Sequence, residues 1–218
     1  LKKQGNIYQI RQSGSTTKLL TNGVLHSQIN SRSVATGSVW DLLWIGLFFR
    51  ENPQPKRALI LGLGAGTVVN QLCELFSGIE IVAVENDAVH VDLAEKFFGM
   101  KKFCVNIVLS EAKSFLENYR GPKFDIVIDD LFIGNAGIPR RAINCDSNWF
   151  DYLQRCVLPK GIISINFSDY EEVKRSAVFT KIRKRNRFKS AFFLRSPDTE
   201  NVVTTLISEL VVSRDLRK

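Results

Sequence analysis

The chain has 218 residues, of which 44% are hydrophobic and 24% charged, with a formal net charge of +8. That is ordinary globular composition, with enough apolar residues for a substantial core and too few charges for an intrinsically disordered chain. The longest apolar stretch, Val39 to Phe49, is interrupted by Asp41 and falls well short of the ~20 residues a membrane helix needs.

In chain order, Ile7 to Asn30 alternates in short runs broken at Ser13-Gly14-Ser15 and Asn22-Gly23, a pattern that predicts three strands joined by tight turns. This makes residues 1–34 a small antiparallel cap and 35–218 a second unit. Ser38 to Phe49 reads as a helix with Trp40, Leu43, Trp44 and Leu47 at helical spacing. A connection rich in helix breakers, Glu51 to Lys56, leads into a regular alternation. Strands are expected at Arg57–Leu61, Ile79–Glu85, Phe103–Leu109, Phe124–Asp129 and Gly161–Phe167. Helices are expected at Thr67–Phe76, Ala88–Phe97, Glu111–Asn118 and Asn148–Val157, and a closing antiparallel pair at Phe192–Leu194 and Val202–Ser208. Short apolar strands separated by helices imply an α/β fold with a parallel sheet covered on both faces.

The most informative segment is Gly62-Leu63-Gly64-Ala65-Gly66-Thr67, which follows a strand and opens a helix. Gly62 and Gly64 allow a tight turn and close ligand approach, and Gly66 allows the helix to pack on the strand. Glu85 ends the next strand 19 residues beyond Gly66, near the offset at which an acid meets ribose hydroxyls. Strand, turn, helix and acid together predict a Rossmann-like site for an adenosine-containing cofactor. The competing reading is a structural turn with Glu85 as a solvated strand-end charge.

Ligands in such sheets sit beyond the carboxyl ends of the strands, which selects the loops after Leu61, Glu85, Leu109 and Asp129. Ser110-Glu111-Ala112 offers a carboxylate to an adenine amino group, or else a helix cap. Asp129 and Asp130 leave a buried strand toward opposite faces, so one can face the pocket while the other faces a helix or solvent. One carboxylate there could orient an attacking amine, take its proton or attract a sulfonium. The loop Leu131 to Asn144 is long for a simple connection and suits acceptor binding.

Cys73, Cys104, Cys145 and Cys156 show no paired spacing, so neither a zinc site nor a disulfide framework is indicated, and Cys145 in a polar loop is the thiol to watch for reactivity. Lys174 to Arg195 holds nine Lys or Arg and no acid. It is either a nucleic-acid or acidic-partner patch or the solvated face of a late helix. The missing initiator Met suggests a trimmed chain, and with no secretory pattern at its start the protein is expected to be soluble and cytoplasmic. The oligomeric state is open, a homodimer being one candidate.

Taken with the turn Thr21 to His26, the glycine loop, Val84-Glu85-Asn86-Asp87, Ser110-Glu111-Ala112, Phe124 to Asp129 and Leu158-Pro159-Lys160-Gly161, the chain resembles spermidine synthase, and more broadly the seven-stranded S-adenosylmethionine-dependent transferases. The resemblance implies polyamine biosynthesis and a cofactor that is S-adenosylmethionine or its decarboxylated form. It also implies Gly62, Leu63, Gly64, Ala65, Gly66, Glu85, Asn86, Ser110, Glu111, Ala112, Gln28 and Asp129 around that cofactor. Asp129 becomes the catalytic carboxylate, with Asp130, Phe132, His26 and Trp40 toward an amine or other nucleophile. The family's Asp-x-x-Asp pair, counted from Asp129, loses its second acid at Phe132; its glycine-loop acid falls on Ala65 and its cap glutamine on His26, with Gln28, two residues on, as the expected substitute. Fewer acids weaken attraction for a polyamine and ease the approach of a cofactor carboxylate, so methyl transfer with the intact cofactor is favoured over aminopropyl transfer. A catalytically silent nucleotide- or nucleic-acid-binding protein is the rival from another class.

Overall fold

The computed structural model describes residues 1–3, 5–50, 53–100, 105–135, 137–183 and 187–212. An N-terminal antiparallel sheet runs in the order β1 (Lys2–Lys3), β2 (Asn6–Ser13), β3 (Thr16–Thr21) and β4 (Val24–Asn30). Asn22 and Gly23 both adopt positive φ, 52° and 82°, which is what a two-residue hairpin turn requires. The predicted helix at Ser38–Phe49 is an α-helix, α1 (Val39–Ile45), that tightens into a 3-10 turn over Gly46–Phe49. Gly46 lies so close to Thr205 that a Cβ there would meet its Cγ2 at 2.4 Å.

The main body alternates β5 (Arg57–Leu61), α2 (Thr67–Leu75), β6 (Glu80–Glu85), α3 (Ala88–Phe97), β7 (Val105–Leu109), α4 (Ala112–Asn118) and β8 (Phe124–Asp129). After β8 come β9 (Phe132–Asn135), β10 (Ile138–Arg141), α5 (Ser147–Cys156), β11 (Val157–Phe167), α6 (Tyr170–Arg175), α7 (Ala177–Arg183), β12 (Ser190–Arg195) and β13 (Val202–Ile207). Seven strands form one sheet in the order β12-β13-β11-β8-β5-β6-β7, parallel except where β13 meets its neighbours β11 and β12. The chain steps outward from β5 to β7 and then returns to β8 on the other side of β5, so the order reverses between β5 and β8. Such a reversal opens a crevice above the strand ends.

Side chains alternate across the sheet into two cores. Ala58 and Ile60 join the core beneath α1, α2, α3 and the N-terminal sheet, whereas Leu59, Leu61 and Val127 join the core beneath α4, α5, α6 and α7. Asp87, Asp146 and Asp169 cap α3, α5 and α6 by accepting the backbone N–H of Val89, Trp149 and Glu172. The predicted strand at Phe103–Leu109 begins outside the described residues and is strand from Val105. The expected loop Leu131–Asn144 instead contains the hairpin β9–β10, closed around Gly137. Among the described residues, no helix is long and apolar enough to cross a membrane.

Candidate functional site

Strand register brings the carboxyl ends together at one rim: Leu61 pairs with Val84 and Asp129, Glu85 with Leu109, and Ile165 with Asp129. Above that rim lies a cavity of about 610 Å³, within the range typical of small-molecule sites. Its floor is the turn after β5, its roof the β3–β4 turn and the β9–β10 hairpin. The roof is closed by the Gly137 N–H donating to the Asn22 carbonyl at 3.0 Å, and Gly134 sits where a Cβ would meet Val24 at 2.4 Å.

Of the residues expected around a cofactor, Gly62, Gly64, Glu85, Asn86, Ser110, Glu111 and Ala112 line this cavity. Gly62 (φ 91°) is required because a Cβ would meet the Asp130 carbonyl at 2.3 Å. Glu85 ends β6, nearly buried, and its carboxylate accepts from the backbone N–H of Gly64 through Oε2 (2.8 Å) and of Asn86 and Asp87 through Oε1 (3.0 Å each). A carboxylate offers about four lone-pair sites, so one remains on Oε2 for a hydroxyl. Glu111 accepts from the Asn86 amide at 3.0 Å at the mouth of β7.

Five of the expected residues, Leu63, Ala65, Gly66, Gln28 and Asp129, do not line this cavity. Leu63 and Ala65 are buried away from the cavity; the Ala65 N–H donates to Ser27 Oγ at 2.7 Å, joining the turn to the N-terminal sheet. Gly66 faces Met100, whose Sδ a Cβ would meet at 2.4 Å, so this glycine serves helix packing. Gln28 lies outside the cavity, with its backbone N–H on Thr67 Oγ1, because a bulge breaks the alternation of β4: Leu20 pairs with Leu25 and Leu19 with Ser27, leaving His26 as the extra residue.

The paired acids diverge. Asp129 has 0% exposure and is absent from the cavity wall. Its Oδ2 accepts from Arg141 Nη2 at 2.8 Å and Trp149 Nε1 at 2.7 Å. Arg141 also donates to the carbonyls of Asn166 and Ile143, so it fastens the end of the hairpin to the main sheet. Asp130, the next residue, does line the cavity. Asn166 Nδ2 donates to its Oδ1 at 2.8 Å, and Asn166 Oδ1 in turn accepts from Asn201 at 3.0 Å. Burial, helped by the neighbouring Asp129 charge and only partly offset by the Asn166 bond, pushes the Asp130 carboxyl up to about 6. Asp130 is thus the one of the two acids that lines the cavity, and the Asp-x-x-Asp spacing counted from it ends on Ile133.

His26, Trp40 and Phe132 line the cavity. Burial, with the His90 charge adding to it, lowers His26 to about 4, so its ring is neutral near pH 7; the two imidazole centroids are 5.0 Å apart. Ile143, from the expected acceptor loop, also reaches the wall, as do Asp87, His90, Asn166, Thr199 and Asn201, which were not anticipated from sequence. A polar residue, Asn166, one place before the end of the apolar run Ile162 to Phe167 was the available signal.

Cys145 is buried and its thiol is pushed up to about 12, chiefly by burial, which opposes the reactivity expected of it. In the basic segment, residues 184–186 lie outside the described residues, while Arg187 bonds to the carbonyls of Gln154 and Leu158 and Phe188 is buried.

A family model described as the spermine/spermidine synthase domain matches residues 41–204. "Polyamine aminopropyltransferase 2" of Caldanaerobacter subterraneus subsp. tengcongensis is 34% identical over 85 residues, 38% of this chain and 29% of that protein. The chain thus matches less than a third of that relative's length. Two solved structures share the fold. A probable spermidine synthase from Corynebacterium glutamicum aligns with a TM-score of 0.77 and 18% identity, covering 98% of this chain and 81% of that one. Human Methyltransferase-like protein 13, in complex with SAH, aligns at 0.67 and 15%, covering 82% and 86%.

Proposed function

The chain belongs to the spermine/spermidine synthase family, and from that premise we propose that it binds an adenosine-linked sulfonium and directs transfer of an alkyl group to an acceptor nitrogen. The observation that carries this reading is the pairing of Glu85 and Asp130 across one cavity, on either side of the β5 turn. The residues present fit such a group. Glu85 has one lone pair free for a ribose hydroxyl, and Glu111 with the start of α4 suits an adenine edge. The described wall carries the acids Glu85, Asp87, Glu111 and Asp130 and no Lys or Arg, an environment that favours a cation.

When bound, the sulfonium supplies an electrophilic carbon, and the sulfur leaves as a neutral thioether when its bond to that carbon breaks. Asp130 orients the acceptor nitrogen and takes the proton it sheds, a task suited to a carboxyl that titrates near 6. Asn166 holds Asp130 in place, and alignment within the cavity supplies much of the remaining acceleration.

Of the two cofactor forms, the decarboxylated one suits the acid-lined wall better, because it brings positive charge and no carboxylate. The sequence argument for the intact form rested on Ala65, and the Ala65 side chain does not reach the cavity. Aminopropyl transfer is accordingly the first reading and methyl transfer the second. Mass spectrometry of products from each cofactor form with a panel of amines tests it. An aminopropylated amine is the expected product, a methylated one reverses the ranking, and none from either form overturns alkyl transfer.

A further inference from the structure

The wall that follows Asp130 is apolar and incompletely covered. Leu131, Phe132 and Ile143 are half-buried and Ile133 is 41% exposed, all lining the cavity, with Leu131 and Ile143 also packed on the core beneath α4 to α7. Apolar surface left uncovered in the wall of such a cavity is surface that a ligand can cover. Of the four acids on the wall, Glu85 and Glu111 lie at the ends of β6 and β7, across the glycine turn, and Asp87 is occupied by the Tyr8 hydroxyl at 2.7 Å and by its own helix cap. Asp130 is therefore the one acid beside the apolar wall among the described residues. His26 is neutral near pH 7 and offers no charge of either sign.

We infer that the acceptor is a small monoamine: one nitrogen seated on Asp130 and a hydrocarbon remainder lying along Leu131, Phe132, Ile133 and Ile143. A diamine of the same length would bring a second ammonium against these side chains. Stripping a charge of water without a partner costs several kcal/mol. The position that could answer that charge, three residues beyond Asp130, is Ile133. Contact between the hairpin and the β3–β4 turn roofs this end and limits the acceptor to small molecules.

The inference rests on the alkyl-transfer reading for its purpose but can be tested apart from it. Calorimetric titration of hexylamine and 1,6-diaminohexane into the full chain, alone and saturated with methylthioadenosine, measures the preference directly. Hexylamine is expected to bind at least about tenfold more tightly than the diamine. Ile133→Asp is expected to raise diamine affinity by about tenfold and to abolish the preference. Equal or tighter binding of the diamine by the wild type, or no measurable binding of hexylamine in either state, overturns the inference. Failure of methylthioadenosine to bind while hexylamine is preferred would count against alkyl transfer and leave the monoamine site standing.

Discussion

Asp129 and Asp130 share a peptide bond but meet opposite surroundings. Asp129 points into the core beneath α5, where Arg141 and Trp149 hold it out of contact with solvent. Asp130 points to the opposite face, toward Trp40 and the N-terminal sheet, where it lines the cavity and titrates near 6. One residue of strand register separates a buried ion pair from a carboxyl that faces the cavity. The buried pair anchors the hairpin that roofs the cavity, so the structural acid also shapes the site its neighbour serves.

Substituting Asp130 and the arginine partner of Asp129 one at a time should separate these roles. Asp130→Asn is expected to cut turnover by about 10²- to 10⁴-fold, measured as product formed per minute with the cofactor form that supports transfer. It should not lower stability above pH 6. The folded Asp130 carboxyl titrates above the unfolded value of 3.8, so its protonated form favours folding below about pH 4, and that contribution is lost as pH rises through 6. A denaturation midpoint for Asp130→Asn well below that of the wild type at pH 7 would break the comparison.

Arg141→Ala should do the reverse, leaving Asp129 buried without its partner and destabilising the fold by about 3–5 kcal/mol in urea titrations. The pH dependence is a smaller lever. Because Asp130 must be ionised to accept a proton, turnover should fall about tenfold from its plateau on going one pH unit below 6, and Asp130→Asn should flatten that limb. Gly64→Ala forces a Cβ to within 2.7 Å of the His26 carbonyl and Ser27 Oγ at φ 55°. It should cost about 1–3 kcal/mol and weaken nucleoside binding in a thermal-shift series. Tyr8→Phe removes the hydroxyl bond to Asp87 and should cost about 1 kcal/mol in the same urea titrations, with turnover little changed.

Much of the fold was legible because its signals are local. The strands Arg57–Leu61 and Phe124–Asp129 and the helix Ala88–Phe97 follow directly from apolar runs and a capping aspartate, and Asn22-Gly23 marks its hairpin. Gly62, Gly64 and Glu85 reach the cavity rim, where the motif spacing places them. The choice between Asp129 and Asp130 was not legible, because alternation states that they diverge but not which face α1 and the N-terminal sheet cover. Gln28 was misplaced because a bulge at His26 has no local signature. The β9–β10 hairpin was hidden by Pro139 and by a lack of alternation, and its strands are held by distant partners: Asn22 at one end and Asp129 at the other.

The central claim is that the cavity receives an adenosine-linked sulfur through Glu85, and calorimetric titration of methylthioadenosine tests it most directly. The account predicts saturable one-to-one binding by the wild type, retained in Asp130→Asn and weakened by about tenfold or more in Glu85→Gln. No saturable binding by the wild type, or equal affinity in Glu85→Gln, would contradict it.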